Sequence, residues 1–223
     1  MLRLILFVAT LTFGADLGKA TFVTGNVYQI SKKRERPIRV SQKIKSGCLI
    51  KTEQESILEI TYNHGTVLRI AENSLVTLDG SEVASSVKMQ KGKVWANVKK
   101  MTKNNFVVNT PVATAAVRGT VFRVESGADQ SSTVALYSGL VDVGPSDTTS
   151  IRKTQETTSS WGPPAQIPGP YEVSVDTWIR LKPGTQINIQ SDGKYATSDV
   201  DDKEESHDAW YLFNQQRDKK IKR

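Results

Sequence analysis

Between Thr21 and Val143 the chain is a succession of short runs in which apolar and polar side chains alternate, each run closed by a glycine-centred turn. In Ser56–Tyr62, Leu58, Ile60 and Tyr62 fall on one side, with Glu59 and Thr61 on the other. After Asn63-His64-Gly65, Leu68 and Ile70 oppose Val67 and Arg69. Lys93–Val98 sets Val94, Ala96 and Val98 against Trp95 and Asn97. A period of two is the signature of a strand, because successive side chains point to opposite faces of the pleat. Strand-like runs recur at 106–108, 120–125, 133–137 and 140–143. Gly25, Gly47, Gly65, Gly80, Gly92, Gly119, Gly139 and Gly144 punctuate the series. Many short strands joined by turns require an all-β fold: a sandwich, a roll or a solenoid. Local alternation is the same in all three, so this choice stays open.

The two ends differ from this middle. Met1-Leu2-Arg3 supplies one positive charge, Leu4 to Ala15 is an apolar run of twelve residues, and Gly18-Lys19-Ala20 offers small residues for a cut. That order predicts an export signal over residues 1–20, with Gly14 or Ala15 as other borders for cleavage and an uncleaved anchor as the second reading. Twelve residues are too few for an ordinary membrane span of about 17–25, so no stable transmembrane span is expected. The expected location is periplasmic or extracellular. Residues 145–170 are rich in Ser, Thr, Pro and Gly, and Trp161-Gly162-Pro163-Pro164 with Ile167-Pro168-Gly169-Pro170 forbids regular structure there; a linker is expected, with Trp161 docked on the domain. Over residues 171–223 the pattern predicts short strands at 171–175, 178–181 and 185–189. A hairpin turn follows at Ser191-Asp192-Gly193-Lys194, then an amphipathic helix with Trp210, Phe213 and Ile221 near one face and Ala209 and Leu212 alongside.

Charge is uneven: residues 21–125 hold 17 Lys and Arg against 8 Asp and Glu, whereas residues 126–223 hold 11 against 14. Lys32, Lys33, Arg34 and Arg36 concentrate the excess before Pro37, a hairpin tip that could touch an anionic polymer. Equally, Lys and Pro there blunt an edge strand. An exported protein does not ordinarily meet DNA, so no nucleic acid is expected as partner. Cys48 is the lone cysteine, which rules out an intrachain disulfide, and Leu49 and Ile50 beside it argue for burial. His64 and His207 are the only histidines, and no Ser, His and acid arrangement resembles a triad. The run Asp199, Asp201, Asp202, Glu204, Glu205 lacks the glycine and the closing Glu of a calcium loop. It reads as the acidic start of a helix. These features predict no catalytic residues, no metal and no cofactor, hence no enzyme.

One segment is more specific. Asn109-Thr110-Pro111-Val112-Ala113-Thr114-Ala115-Ala116-Val117 runs through small residues into Arg118-Gly119-Thr120, then a strand alternating Phe122 and Val124 against Val121, Arg123 and Glu125. Arg118 offers five donors in a planar fork, Gly119 lets the backbone turn, and Thr120 opens the strand. The weightier expectation is structural, Arg118 tying loop carbonyls to the strand; the functional one is an anion-binding point. This segment resembles the core signature of the FecR domain. The ordered set of Val23–Val27, Ile44–Thr52, Leu58–Asn73 and Val134–Val143 is similar to that family's other strands, and Trp210–Asp218 to a tail that some members carry. Cys48 stands where the family usually has an Asp after glycine. The resemblance implies an extracytoplasmic β module over residues 21–144 that binds and signals rather than catalyses. It also implies the envelope-side part without the cytosolic region that contacts a sigma factor. Two functions follow: a non-enzymatic binding or scaffold module for an envelope protein or anionic envelope polymer, and a membrane-held extracytoplasmic component of a signal-transduction system. Oligomeric state is left open.

Overall fold

In a computed structural model, residues 14–31, 34–81, 84–100, 105–146 and 178–221 are described. The expected strand at 171–175, the linker with Trp161, and Lys32 and Lys33 lie outside them.

Two layers of strands face each other. The first runs β4 (Lys43–Lys45), β1 (Asp16–Thr24), β6 (Ile57–Tyr62), β7 (Val67–Ile70), β9 (Ala84–Asn97), β12 (Val121–Ser126), β13 (Ser132–Ser138), β16 (Thr185–Ile189) and β17 (Tyr195–Asp199). The second runs β3 (Arg34–Pro37), β2 (Val27–Ser31), β5 (Cys48–Thr52), β8 (Leu75–Gly80), β9 again, β10 (Asn105–Asn109), β11 (Ala113–Val117), β14 (Val141–Pro145) and β15 (Ile179–Leu181). The strand β9 belongs to both. Its first half pairs with β8 and, in parallel, with β10; from Gly92 onward it pairs with β7 and β12. The switch falls at Gly92, whose φ of 106° suits glycine. A Cβ there would lie 2.5 Å from the Ser74 Cα.

The inward residues of both layers form one core. Leu58, Ile60, Leu68, Ile70, Val94, Ala96, Phe122 and Val124 from the first layer are fully buried, as are Ile50, Val76, Leu78, Val87, Val108 and Val143 from the second. Phe106 bridges the layers, its ring 5.8 Å from that of Tyr62 and 6.5 Å from that of Phe122. This is a sandwich of two packed sheets, which decides the choice left open by the alternation. Cys48 is buried in this core, and burial pushes its thiol up to about 12.

Three features near the ends refine the sequence reading. The first strand begins at Asp16, with Leu17 and Ala20 buried in the core, so the boundary expected after Ala20 falls inside β1. The C-terminal β segments do not stand apart: β15 extends the second layer and β16 and β17 the first. The single helix is two, α1 (Asp202–His207) and α2 (Ala209–Asp218). Asp201 caps α1 by accepting from Lys203 N and Glu204 N. Asp208 breaks the chain between the helices and caps α2 by accepting from Trp210 N. The Asp-Gly hairpin turn is as expected: Gly193 has φ 89° and Gln190 N donates to Lys194 O at 2.8 Å.

Candidate functional site

The outer face of the first layer carries a row of directly opposed residues. Phe22 of β1 lies beside Glu59 of β6, Glu59 beside Arg69 of β7, Arg69 beside Trp95 of β9, and Trp95 beside Arg123 of β12. Tyr137 extends the face on β13, where its ring stacks on Trp95 at 4.6 Å. Alternation puts all of these opposite the core, where solvent would be expected. Yet Glu59, Arg69 and Trp95 are buried. What covers them is the helix pair.

Strands are spaced about 4.8 Å apart, and a ten-residue helix such as α2 is about 15 Å long, enough to cross three or four strands. At the far end of α2, Arg217 grips Glu59 with two hydrogen bonds, Nε donating to Oε2 at 2.7 Å and Nη2 to Oε1 at 2.8 Å. Its guanidinium also lies 4.5 Å from the centre of the Phe22 ring. Asp218 accepts from Arg69 Nη1 at 2.6 Å and from Trp95 Nε1 at 2.9 Å. Asn214, fully buried, holds its amide against Trp210 O at 2.7 Å and turns its Oδ1 toward Arg69 Nη1 at 3.3 Å. Tyr211 packs its ring on both Trp95 and Tyr137. In the preceding helix, Glu205 of α1 meets Arg123 Nη1 at 2.7 Å and accepts from Tyr137 Oη at 2.9 Å.

Arg69 is 1% exposed, and a buried guanidinium is tolerable only if its charge and donors are met. Glu59 from the sheet, 2.7 Å from Arg69 Nε, and Asp218 from α2 meet them. Burial works to raise the Glu59 carboxyl, but hydrogen bonds from Arg217, Arg69 and Thr21 outweigh it and hold the group down at about 2. Glu205 goes the other way. Burial raises it above the usual carboxylate range despite Arg123, and its Oε2 has no hydrogen-bond partner. The first anchor is therefore firmly ionic, whereas the second tolerates a proton. Chemically the arrangement neutralises charge under a lid and holds the lid in one register.

The sequence-derived candidates lie elsewhere. Arg118 is exposed at the turn between β11 and β12, and Gly119 supplies φ 68° there. Thr120 is buried; its carbonyl accepts from Val98 N at 2.8 Å, while its hydroxyl has no partner. Arg34 and Arg36 are exposed on β3, an edge strand among the described residues. These groups stand on separate elements and form no common site. The helix–sheet contact escaped the sequence because α2 docks by Tyr211, Asn214, Arg217 and Asp218, a polar stripe that hydrophobic periodicity does not register. Leu212, expected near the apolar face, is 43% exposed. The available signal was a paired Glu59 and Arg69 at opposed positions of one hairpin, with Trp95 next to them.

The acidic residues divide among similar structural tasks: Asp201 and Asp208 cap helices and Glu205 anchors on Arg123. Among the described residues no group of His, Cys, Asp and Glu could hold a metal ion, and no helix is long and apolar enough to cross a membrane.

Comparison with known proteins agrees with this architecture. A crystal structure at 1.65 Å of a proposed anti-sigma factor from Parabacteroides distasonis ATCC 8503 superposes with a TM-score of 0.51 at 19% identity, covering 69% of this chain and 60% of that one. A second, at 2.50 Å, gives 0.50 at 20% identity with the same coverage. At such identity the likeness is one of fold, and the chain spans 60% of the length of those structures. No curated protein matches the sequence. The family model described as FecR protein matches residues 49–142, from β5 to β14, which takes in the central strand β9 and the Arg118-Gly119-Thr120 turn. The chain carries a FecR domain.

Proposed function

We propose that this protein is the extracytoplasmic component of a signal-transduction system, held to the membrane by its N-terminal apolar run. In this reading the β sandwich is the receiving module and its helix-covered face passes the signal to a partner protein. The FecR domain supports a regulatory rather than a catalytic role. The membrane-held form draws support from β1 against one cut only, since cleavage at Gly14 or Ala15 would leave the strand whole. A cut after Ala20 would remove Asp16–Ala20, taking Leu17 and Ala20 out of the core and unpairing β4 and part of β6. Retention of the N-terminus keeps that strand whole and places the first layer directly after Leu4–Ala15.

The test is the intact mass of the protein recovered from its own cell envelope. Retention of residues 1–13, with release only by detergent, is the expected result. A mature chain starting at Asp16 or later, released by osmotic shock, would sink the membrane-held form. The exposed Arg34 and Arg36 favour a second reading, a contact with an anionic envelope polymer. Its check is salt-dependent co-sedimentation with that polymer, lost in R34E/R36E.

A further inference from the structure

The near end of α2 does not seal against the sheet. Between it, the turn after β5, the turn after β7 and the end of β12 lies a cleft of about 760 Å³. Its wall is aromatic: Trp210 and Phe213 stack with centroids 6.0 Å apart and planes at 17°. Its rim is acidic. Glu55 and Glu72 are exposed and adjacent, Glu72 accepting from the Glu55 backbone N–H at 2.5 Å. Among the described residues neither carboxylate has a Lys or Arg partner. The lysine that lines the cleft, Lys93, is compensated already by Glu125 at 3.0 Å and Asp208 at 3.9 Å.

We propose that this cleft binds a primary alkylammonium group. The methylene stem lies on Trp210 and Phe213, where ring faces attract a cation and cover its apolar chain. The N–H donors of the ammonium match the two rim carboxylates. A free polyamine and a lysine side chain of a peptide both present this chemistry. The proposal is independent of membrane attachment, so it stands or falls apart from the proposed function.

The test follows the indole Nε1–H resonance of Trp210 in the full chain, assigned with W210F. Pentylammonium is expected to shift it saturably and to bind at least about tenfold more tightly than neutral pentanol. E55Q/E72Q, both substitutions at exposed positions, is expected to weaken pentylammonium by about tenfold with an unchanged Tm. Equal binding of pentanol, no saturable shift, or an unaffected double variant would each overturn the proposal. Spermidine and acetyl-Ala-Lys-Ala-amide then compete for the site. Tighter binding of one assigns the source, and failure of both to displace pentylammonium overturns the assignment.

Discussion

Glu59 accepts from Arg69, Arg217 and Thr21 at once, so its loss should be felt far beyond one hydrogen bond. Arg69→Met leaves Glu59 and Asp218 short of a buried partner; removing one member of a buried pair costs about 3–5 kcal/mol, and urea unfolding should register a loss of that size. Glu205→Gln is the contrast. It keeps an acceptor for Tyr137 and removes a charge that burial already disfavours, so a change within about 1 kcal/mol is expected. The two carboxylates also respond to acid with opposite signs. The folded value of Glu59 is depressed, from 4.5 to about 2, so its contribution is present in full above the unfolded value. It is lost as pH falls through that window. Glu205 is raised, so the folded state binds its proton more readily than the unfolded one, and its protonation adds stability as pH falls. Denaturation midpoints at pH 5 and pH 3 should therefore converge in Glu59→Gln relative to the parent; an unchanged acid loss would refute the assignment.

Helix α2 illustrates an element whose position is set by specific polar pairs. Its aromatic rings do reach the sheet, Phe213 against Phe22 and Tyr211 against Trp95 and Tyr137, but Leu212 points outward and Asn214 is fully buried. The docking is fixed by Arg217 on Glu59 and by Asp218 on Arg69 and Trp95. A chain ending at Val200 should keep the sandwich but uncover Trp95, seen as a red shift in fluorescence and a lower Tm. A synthetic peptide spanning 201–221 should reverse both. If it does not rebind, the face is not a separable docking surface and its part in signalling falls. At the strand level, β9 can serve two sheets only if it turns sharply at Gly92. Gly92→Ala places a methyl against the Ser74 backbone at a φ of 106°. It should cost at least about 2 kcal/mol, measurable by thermal unfolding.

At the scale of the whole molecule, the two layers share one core and one central strand, so they should not melt separately. Far-UV circular dichroism and Trp95 fluorescence are expected to report one coincident transition; two transitions would mean that β15–β17 and the helices form an independent unit. Much of this architecture was legible in the chain. The alternation of Leu58, Ile60, Leu68, Ile70, Phe122 and Val124 depends only on a two-residue period, and glycines at positive φ mark the turns whatever the strands do later. The strand β11 was not legible, because Ala113-Thr114-Ala115-Ala116-Val117 has small side chains on both faces and no contrast to read. Nor was the first half of β9, Ala84–Lys91, where serines and lysines dilute the pattern. Alternation also could not tell that Glu59, Arg69 and Trp95, turned away from the core, would be buried. That depends on a helix about 150 residues further along the chain. The sequence by itself determined the strands with a clear apolar–polar contrast, their inward faces and the FecR signature, since these rest on local geometry. Only the tertiary structure decided that the sheets form a sandwich, that β9 joins them, and that the polar stripe of α2 closes over the outer face. Those outcomes rest on which distant charges can neutralise one another away from water.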